Sequence, residues 1–276
     1  MNYSLGYCLN PFKIINHLWN HRGLIAKLSK KNILVRYRGS LLGIVWAFIQ
    51  PLILLAVYTF VFSVIFEAKW GQELDQGRLS FALALFTGIL IFNIIGDTVN
   101  ASPGLILGHA NFVKKVVFPL EILPVVKLIE SVVFSLFGLS VLVVTKILYT
   151  QTLSWTLLLL PIVWLPVIMF TLGCSYFLAS LGVFIRDIGS IIGVVVTMLL
   201  FMSPIFYPLK AVPESLRVYC QINPIAVFVE DARRVILWGQ TPDWPWFAIY
   251  FIISVIILVL GFTWFMKTKR AFADVL

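Results

Sequence analysis

The run from Leu41 to Phe66 contains no Asp, Glu, Lys, Arg or His, and a group of cations stands just before it. An α-helix rises about 1.5 Å per residue, so this run would be roughly 39 Å long, more than the hydrocarbon core of a bilayer at about 30 Å. Cations beside a membrane span mark its cytoplasmic end; here they are Lys27, Lys30, Lys31, Arg36 and Arg38. We therefore expect the chain to cross a membrane with its amino-terminal arm in the cytoplasm.

The composition excludes an ordinary soluble domain. Hydrophobic residues make up 61% of the 276 residues and charged residues only 12%, whereas soluble domains carry about 25% charged residues. The mean hydropathy is +0.99. The net charge of +9 does not indicate nucleic-acid binding, because many basic residues lie before the first apolar run or after the last one. There they orient the spans and attract membrane lipids with anionic headgroups.

Six apolar runs predict an all-α integral membrane protein with a single transmembrane domain over residues 1–276. Spans one to five occupy 41–207 and span six occupies 246–266; the individual runs are 41–66, 80–99, 121–146, 155–184, 188–207 and 246–266. Residues 1–40 form a cytoplasmic arm, 208–245 form an outer segment that we name the gate segment, and 267–276 form a cytoplasmic tail. Lys and Arg are more frequent on the side of the two termini, which places both termini in the cytoplasm.

Three segments are expected to form helices that do not span the membrane. Residues 12–31 predict an amphipathic helix on the cytoplasmic surface, interrupted near Gly23. A serine–proline start signal and a later proline predict a short cytoplasmic coupling helix within 103–118. In the gate segment, the Asn-Pro pair at 223–224 predicts the start of a re-entrant helix that Gly239 ends.

Sequence motifs of an enzyme are missing. None of the 17 glycines is followed by lysine, so the chain has no Walker A loop for ATP phosphates. His17, His21 and His109 have no partners at metal-ligand spacing, so we expect neither a metal site nor a cofactor bound by this chain. Lys127 and Glu130 stand at i and i+3 and are expected to pair. Carboxylates are missing at mid-bilayer, where a carrier driven by an ion gradient would need them, and this favours an external source of energy.

Three blocks of sequence together carry a resemblance to a known family. They are Arg36-Tyr37-Arg38-Gly39-Ser40-Leu41-Leu42-Gly43 with Trp46 and Pro51; Lys114-Lys115 with Phe118-Pro119 and Leu123-Pro124; and Phe184-Ile185-Arg186-Asp187-Ile188 with Ser203-Pro204-Ile205-Phe206-Tyr207. With these blocks the chain resembles the membrane subunit of type-2 ABC exporters. It is most similar to the polysaccharide branch, and within that branch to the O-antigen exporters. The resemblance covers nearly the whole chain.

The resemblance implies a homodimer of six-span permease subunits in the bacterial inner membrane, joined to two copies of a separate cytoplasmic ATPase that binds ATP and magnesium. It implies a channel at the dimer axis, through which a polysaccharide linked to undecaprenyl diphosphate is exported. Capsule, teichoic acid and a small lipophilic drug are alternative substrates. A membrane enzyme of lipid-linked sugar metabolism and a secondary drug carrier are alternative functions.

The resemblance also suggests roles for particular residues. Arg36 and Arg38 could bind the lipid diphosphate through their guanidinium groups, although orientation of the first span would explain them equally well. Rigid aromatic rings could stack on sugars along the channel, and contact with lipid is the alternative for each candidate: Tyr58, Phe60, Phe62, Phe66, Phe201, Phe206 and Tyr207. Contact with the ATPase is expected from another group, unless its members only connect spans: Lys114, Lys115, Arg186 and Asp187.

Overall fold

A computed structural model describes residues 11–65, 77–111 and 118–276, and the regular structure within these ranges is entirely helical. The amino-terminal arm consists of α1 (Pro11–Asn20) and α2 (Arg22–Arg36). The expected interruption near Gly23 is found at His21, which leaves the helical conformation and serves as the N-cap of α2. Gly23 itself is helical.

The remaining helices follow in chain order. They are α3 (Trp46–Tyr58), which continues as a π-helix over Thr59–Ile65; α4 (Gly77–Ala101); α5 (Ile122–Thr150); α6 (Leu160–Phe184); α7 (Ile188–Met202); α8 (Glu214–Ile222); α9 (Pro224–Arg233), which continues as a π-helix over Arg234–Trp238; α10 (Trp244–Thr268); and α11 (Phe272–Val275). Short 3-10 helices precede or follow several of these, at Gly43–Val45, Ser102–Gly104, Leu107–His109 and Trp155–Leu159.

Five helical stretches in the described part of the chain are long and apolar enough to cross a membrane: Gly43–Phe62, Leu79–Gly104, Ile122–Thr150, Trp155–Phe184 and Trp244–Val275. They correspond to predicted spans one, two, three, four and six. The predicted fifth span, 188–207, contains α7, which is apolar but has only 15 residues and rises about 22 Å. Helix α7 ends at Ser203, whose backbone is extended, because a following proline disfavours the helical conformation.

Helix α4 is the centre of the bundle. In the span Leu79–Gly104, which contains most of α4, 83% of the apolar 18-residue stretch is buried. The corresponding share in the first span is 11%. Helix α4 packs against α5, α6, α7 and α9, and side chains such as Ala82, Ala84 and Leu85 are completely buried. Lipid tails are as apolar as these side chains, so close van der Waals packing between helices, rather than exclusion from water, favours this arrangement. The first span, by contrast, presents most of its surface to the outside of the subunit.

Helices α6 and α10 approach each other closely at a pair of glycines. A Cβ atom on Gly261 would lie 2.1 Å from the carbonyl oxygen of Gly173, and one on Gly173 would lie 2.6 Å from the backbone of Ile257. No side chain fits between backbones at this separation. Small residues commonly allow membrane helices to touch in this way.

Replacement of Gly261 by alanine should destabilise the protein. In an exposed helix, replacement of glycine by alanine stabilises the helix by about 1 kcal/mol. Here the added methyl group would push α10 away from α6, which should lower the free energy of unfolding by about 1–3 kcal/mol. Thermal unfolding of the purified protein should therefore show a lower Tm for G261A. G193A is the matched control, since a Cβ atom on Gly193 meets no atom within 4 Å. Equal Tm values for the two variants would contradict the close approach.

Candidate functional site

The gate segment is attached to the end of α7 at the start of α9. The side-chain oxygen of Asn223 accepts a hydrogen bond from the backbone N–H of Ile225 at 3.0 Å, which caps the helix. The amide nitrogen of Asn223 donates to Ser203 Oγ at 2.8 Å. Pro224 opens α9, and Gly239 ends the following π-helix with a φ of +65°. The predicted helix start and stop in this segment are thereby confirmed.

The side chain of Arg233 in the gate segment is completely buried. Its guanidinium group donates to three backbone carbonyls: Nε to Ala84 at 3.0 Å, and the two terminal nitrogens to Pro204 at 2.8 Å and Ile205 at 2.9 Å. The carboxylate of Glu230 lies 3.6 Å from the guanidinium group. One side chain thus joins the gate segment to α4 and to the turn that follows α7.

Burial lowers the pKa of Arg233 to about 10, and the nearby Glu230 carboxylate opposes this shift. The guanidinium group is therefore charged at neutral pH. Gly88 makes room for it, because a Cβ atom at that position would lie 2.8 Å from a terminal nitrogen of Arg233. The anchoring role of Arg233 could not be predicted from the sequence, since its acceptors are backbone carbonyls distant in sequence, which leave no motif.

Replacement of Arg233 by lysine should destabilise the protein by about 2–4 kcal/mol, because one ammonium group cannot satisfy three separated carbonyls and unpaired buried polar groups are costly. Thermal unfolding of R233K should show a clearly lower Tm than that of the parent protein. R217K is the control, since Arg217 is partly exposed and pairs with an exposed Glu214 at 3.7 Å. A Tm for R233K equal to that of R217K would contradict the anchoring role of Arg233.

The other end of the gate segment is held by the region around the α5–α6 connection. Lys146 Nζ donates to the carbonyl of Ile236 at 2.7 Å and to Ser154 Oγ at 3.3 Å. Thr156 Oγ1 donates to the carbonyl of Val235 at 2.8 Å. Both carbonyls belong to the π-helix Arg234–Trp238. Side chains therefore fix the gate segment on both sides of α9.

Asp231 is the buried carboxyl group of the gate segment, with 3% of the residue exposed. It accepts a hydrogen bond from the backbone N–H of Asp243 at 3.0 Å. Burial raises the pKa of Asp231 to about 6, and this hydrogen bond together with the charge of Arg234 opposes the rise. The charge on Asp231 therefore depends on pH near neutrality.

The pH dependence has a defined sign. Because the pKa of Asp231 is raised on folding, the charged form costs stability above about pH 6, and this cost disappears as the pH falls from 6 towards the ordinary value of about 4. D231N keeps the acceptor oxygen and removes the charge, so its Tm at about pH 7.5 should be higher than that of the parent. The stability gained by the parent on acidification to about pH 5 should shrink in D231N. The exposed Asp187 supplies the control D187N, and identical pH profiles for both variants would contradict the assignment.

Aromatic residues gather where the first span and α7 end. The ring of Phe206 stacks on Phe201 with centroids 5.4 Å apart and on Phe62 at 6.2 Å, and Phe62 stacks on Phe81 at 5.7 Å. The hydroxyl of Tyr207 donates to the Phe201 carbonyl at 3.3 Å. The structure therefore brings together four of the predicted wall residues, one from the first span and three from the end of α7 and the turn that follows it.

Two other predicted wall residues, Tyr58 and Phe60, are not part of this aromatic cluster. Tyr58 is half-buried and packs against the core. Phe60 is 59% exposed; it precedes Phe62 by two residues, roughly half a turn of helix, and so lies on another face. Phe66 lies outside the described residues.

The two arginines of the predicted diphosphate site are both exposed but have different surroundings. The guanidinium carbon of Arg36 lies 4.2 Å from the centroid of the Phe134 ring. Arg36 also lines a cavity of about 180 Å³ together with Asn93 and Asp97. A carboxylate in the same cavity reduces the attraction of Arg36 for a phosphate group. Arg38 is exposed and is not among the residues that line this cavity.

The predicted turn at Arg186 and Asp187 connects α6 to α7, and both residues are exposed. The end of α6 lies against the loop between α4 and α5, which we name the inner loop after its predicted cytoplasmic side. A Cβ atom on Gly182 would be 2.2 Å from the carbonyl oxygen of Pro103 in this loop. The backbones of the inner loop and α6 are therefore in direct contact, four residues before the exposed turn.

Part of the predicted coupling helix within 103–118 lies outside the described residues. The described part consists of two 3-10 helices, Ser102–Gly104 and Leu107–His109, followed by α-helical backbone at residues 110–111. Pro103 occupies the first turn of the first one, as its restricted backbone favours. Lys114 and Lys115 lie outside the described residues.

Glu121, just before α5, joins the arm to the carboxyl-terminal region. Its carboxylate contacts His17 Nε2 at 2.7 Å and Lys269 Nζ at 2.5 Å, and its backbone carbonyl accepts from the Tyr176 hydroxyl at 2.9 Å. Burial alone would raise the pKa of Glu121, but the hydrogen bond with His17 and the charge of Lys269 lower it to about 2. The carboxylate is therefore charged at neutral pH. No sequence motif predicts this cluster, because His17, Glu121 and Lys269 are more than 100 residues apart in the chain.

His17, His21 and Glu121 also offer ligand atoms within 4.8 Å of one another, a geometry that a metal ion could use. Both oxygens of Glu121 already have partners, His17 and Lys269. The ammonium group of Lys269 balances the carboxylate charge that would attract a cation. We therefore assign this cluster to the attachment of the arm.

A second contact between the arm and α5 lies at Glu130. Lys127 Nζ and Glu130 Oε2 are 3.6 Å apart, which confirms the predicted i, i+3 pair. Asn32 of α2 donates to the other oxygen of Glu130 at 2.5 Å. The arm is thus bound along the first three turns of α5.

Residues 24–237, more than half of the chain, match the sequence profile of the family described as ABC-2 type transporter. The chain belongs to the ABC-2 type transporter family. The match begins in α2 and ends in the gate segment, so it includes Arg36, the aromatic cluster and the Arg233 anchor. The resemblance to type-2 ABC exporters is thereby confirmed.

Individual relatives align over most of the chain. The O-antigen export system permease protein RfbA of Myxococcus xanthus is 26% identical over 264 residues, which cover 95% of this chain and 98% of that protein. A protein of the same name from Klebsiella pneumoniae is 25% identical over 278 residues, with 100% and 98% covered. The polysialic acid transport protein KpsM of Escherichia coli is 21% identical over 220 residues, with 79% and 83% covered.

Proposed function

We propose that the chain is the channel-forming permease subunit of an ATP-driven exporter, and that its substrate is an O-antigen-like polysaccharide linked to undecaprenyl diphosphate. In this proposal a homodimer in the bacterial inner membrane, with both termini in the cytoplasm, associates with two copies of a separate ATPase. The observation that carries the proposal is the alignment, over at least 95% of this chain, with proteins named as O-antigen export permeases. The lower identity and coverage for KpsM make a capsule-like polymer the second candidate.

The uneven packing of the bundle supports a second subunit beside the first span and α7. Large apolar side chains on these helices are exposed in the single subunit, among them Phe60 at 59%, Val194 at 62% and Phe201 at 62%. Exposed apolar surface can face lipid, but only the first span and α7 combine this exposure with the aromatic cluster. A homodimer that pairs these helices would place two copies of the cluster around one axis.

The aromatic cluster is suited to the outer part of a polysaccharide channel. Stacked rings such as Phe201 and Phe206 present flat apolar faces, and such faces attract the C–H surfaces of sugars without a fixed hydrogen-bond pattern. A polymer can therefore slide past them. The gate segment, anchored by Arg233 beside the same turn, would cover this end of the channel.

At the inner end, we propose that the exposed Arg186–Asp187 turn contacts the ATPase, together with Lys114 and Lys115. The contact between Gly182 and Pro103 would transmit movement from this turn to the inner loop. Diphosphate binding at the inner mouth is proposed for Arg36 and Arg38, which are both exposed, with Arg38 as the stronger candidate because Asp97 shares the cavity of Arg36. Guanidinium groups suit this role because they bind phosphate oxygens through two parallel hydrogen bonds.

The function can be tested by deletion of the gene in its native host. Loss of surface polysaccharide, with lipid-linked polymer accumulating in the cytoplasm, is the expected result, and reintroduction of the intact chain should restore export. Failure to synthesise the lipid-linked polymer at all would indicate an enzyme of its assembly instead. Unchanged surface polysaccharide would contradict the proposal.

The role of the aromatic cluster is tested separately in the restored strain. The double variant with Phe201→Ala and Phe206→Ala should lower the rate of polymer export several-fold, because the stacking surface is lost. F177A is the control, since Phe177 is also exposed but packs on Trp264 of α10, with centroids 5.6 Å apart. Quantification of the subunit in membranes should show equal amounts for both variants. Equal export rates would contradict the role of the cluster.

A further inference from the structure

A groove lies between the amino-terminal arm and the start of α5. Its volume is about 640 Å³, within the range of about 300–1,000 Å³ that is typical of ligand pockets. Almost all of its wall is apolar and is built by side chains that include Ile15, Leu18, Ile25, Ile33, Val125 and Ile129. Within the described part of the chain, no residue assigned above to diphosphate binding, the channel wall or the ATPase contact lines this groove.

Two cations of the arm stand at the rim of the groove. Arg22 and Lys30 both line it and are both exposed; they are two helical turns apart, about 12 Å along α2. The guanidinium carbon of Arg22 lies 5.2 Å from the ring centroid of Trp19, which is 62% exposed. The first carboxylate of the sequence is Glu67, so no acidic side chain within the arm neutralises these cations. Tryptophan and cations above an apolar surface are typical of residues at the level of lipid headgroups.

A polar group without a partner also lies in this groove. Ser29 is 3% exposed and lines the groove, and its hydroxyl has no hydrogen-bond partner among the described residues. An unsatisfied buried hydroxyl costs about 1–3 kcal/mol. Ser29 directly precedes Lys30 and follows Arg22 by seven residues, about two helical turns. Its position in the groove wall calls for a ligand that carries an acceptor oxygen next to an apolar chain.

We propose that this groove binds one bilayer phospholipid with an anionic headgroup. One acyl chain lies in the apolar groove, the headgroup contacts Arg22 and Lys30, and the Ser29 hydroxyl donates to an ester or phosphodiester oxygen. The lipid is a structural ligand and is distinct from the exported substrate. By filling the space between α2 and α5, it holds the arm in the position that the His17–Glu121 contact also requires.

Other occupants fit the groove less well. A peptide would bring backbone N–H and C=O groups that the apolar wall cannot satisfy. The arm of a second copy of this chain would bring the same cations and no carboxylates, so the two would repel each other. An acyl chain with an anionic headgroup has neither disadvantage.

The test uses the full-length purified chain in detergent and two probes, phosphatidylglycerol and phosphatidylethanolamine with identical acyl chains. Native mass spectrometry should show one tightly retained phosphatidylglycerol per chain and weaker retention of phosphatidylethanolamine. Phosphatidylglycerol should also raise the Tm more than phosphatidylethanolamine does. Equal retention of the two lipids would overturn the proposal.

The double variant R22Q/K30Q should weaken the retention of phosphatidylglycerol roughly tenfold, since each basic residue near a membrane surface contributes to the attraction of anionic lipid. The matched control is K27Q/K31Q, because Lys27 and Lys31 are exposed cations of the same helix that do not line the groove. Equal losses for both pairs would show general surface attraction and overturn the specific site.

A third variant blocks the apolar part of the groove. Ala26 lines the groove and is exposed, so A26F should fill it and abolish the retained lipid, with a Tm in lipid-free detergent close to that of the parent. Retention of phosphatidylglycerol by folded A26F would overturn the proposal. If A26F does not fold, the comparison of R22Q/K30Q with K27Q/K31Q tests the proposal. Displacement of phosphatidylglycerol by undecaprenyl phosphate at equal concentration would also overturn it, because the groove would then be a substrate site.

Discussion

The guanidinium group of Arg233 is the interaction on which the position of the gate segment depends. It is charged and completely buried, and its three carbonyl acceptors come from α4 and from the turn after α7. The carbonyls of that turn have no helical partner, since the helix ends at Ser203. In a low-dielectric environment such groups must be satisfied by the protein itself. One arginine does so, and it thereby determines where the gate segment lies.

The end of the bundle near the two chain termini is organised around a carboxylate in the same way. Glu121 binds His17 of the arm and Lys269 after α10, so the two ends of the described chain meet at one buried charge. Between these two anchors α4 is almost fully enclosed, whereas the first span and α7 are exposed. The proposed homodimer would account for this uneven burial, because a second copy would cover the exposed helices.

Local signals predicted much of the fold and some of the site. Hydrophobic length gave the spans, the Lys127–Glu130 spacing gave a real pair, and the residues at 223–224 and Gly239 gave a real helix. The predicted fifth span is longer than the helix, because apolar residues continue past the proline at which the helix stops. The same reasoning treated Phe60 and Phe62 alike, although the helix turns them to different faces. The anchoring role of Arg233 was not predicted, because its acceptors are backbone carbonyls, which every residue type carries.

The amino-acid sequence by itself determined that this chain is a helical membrane protein of the ABC-2 type transporter family with a cationic arm. Span length, charge position and helix caps depend on neighbouring residues, so they can be interpreted without a structure. Only the tertiary structure decided which buried charges are anchors, which aromatic rings share a surface, and where the arm leaves a groove. These properties depend on contacts between residues that are far apart in the chain, because the folded backbone, and no local pattern, brings them within hydrogen-bond distance.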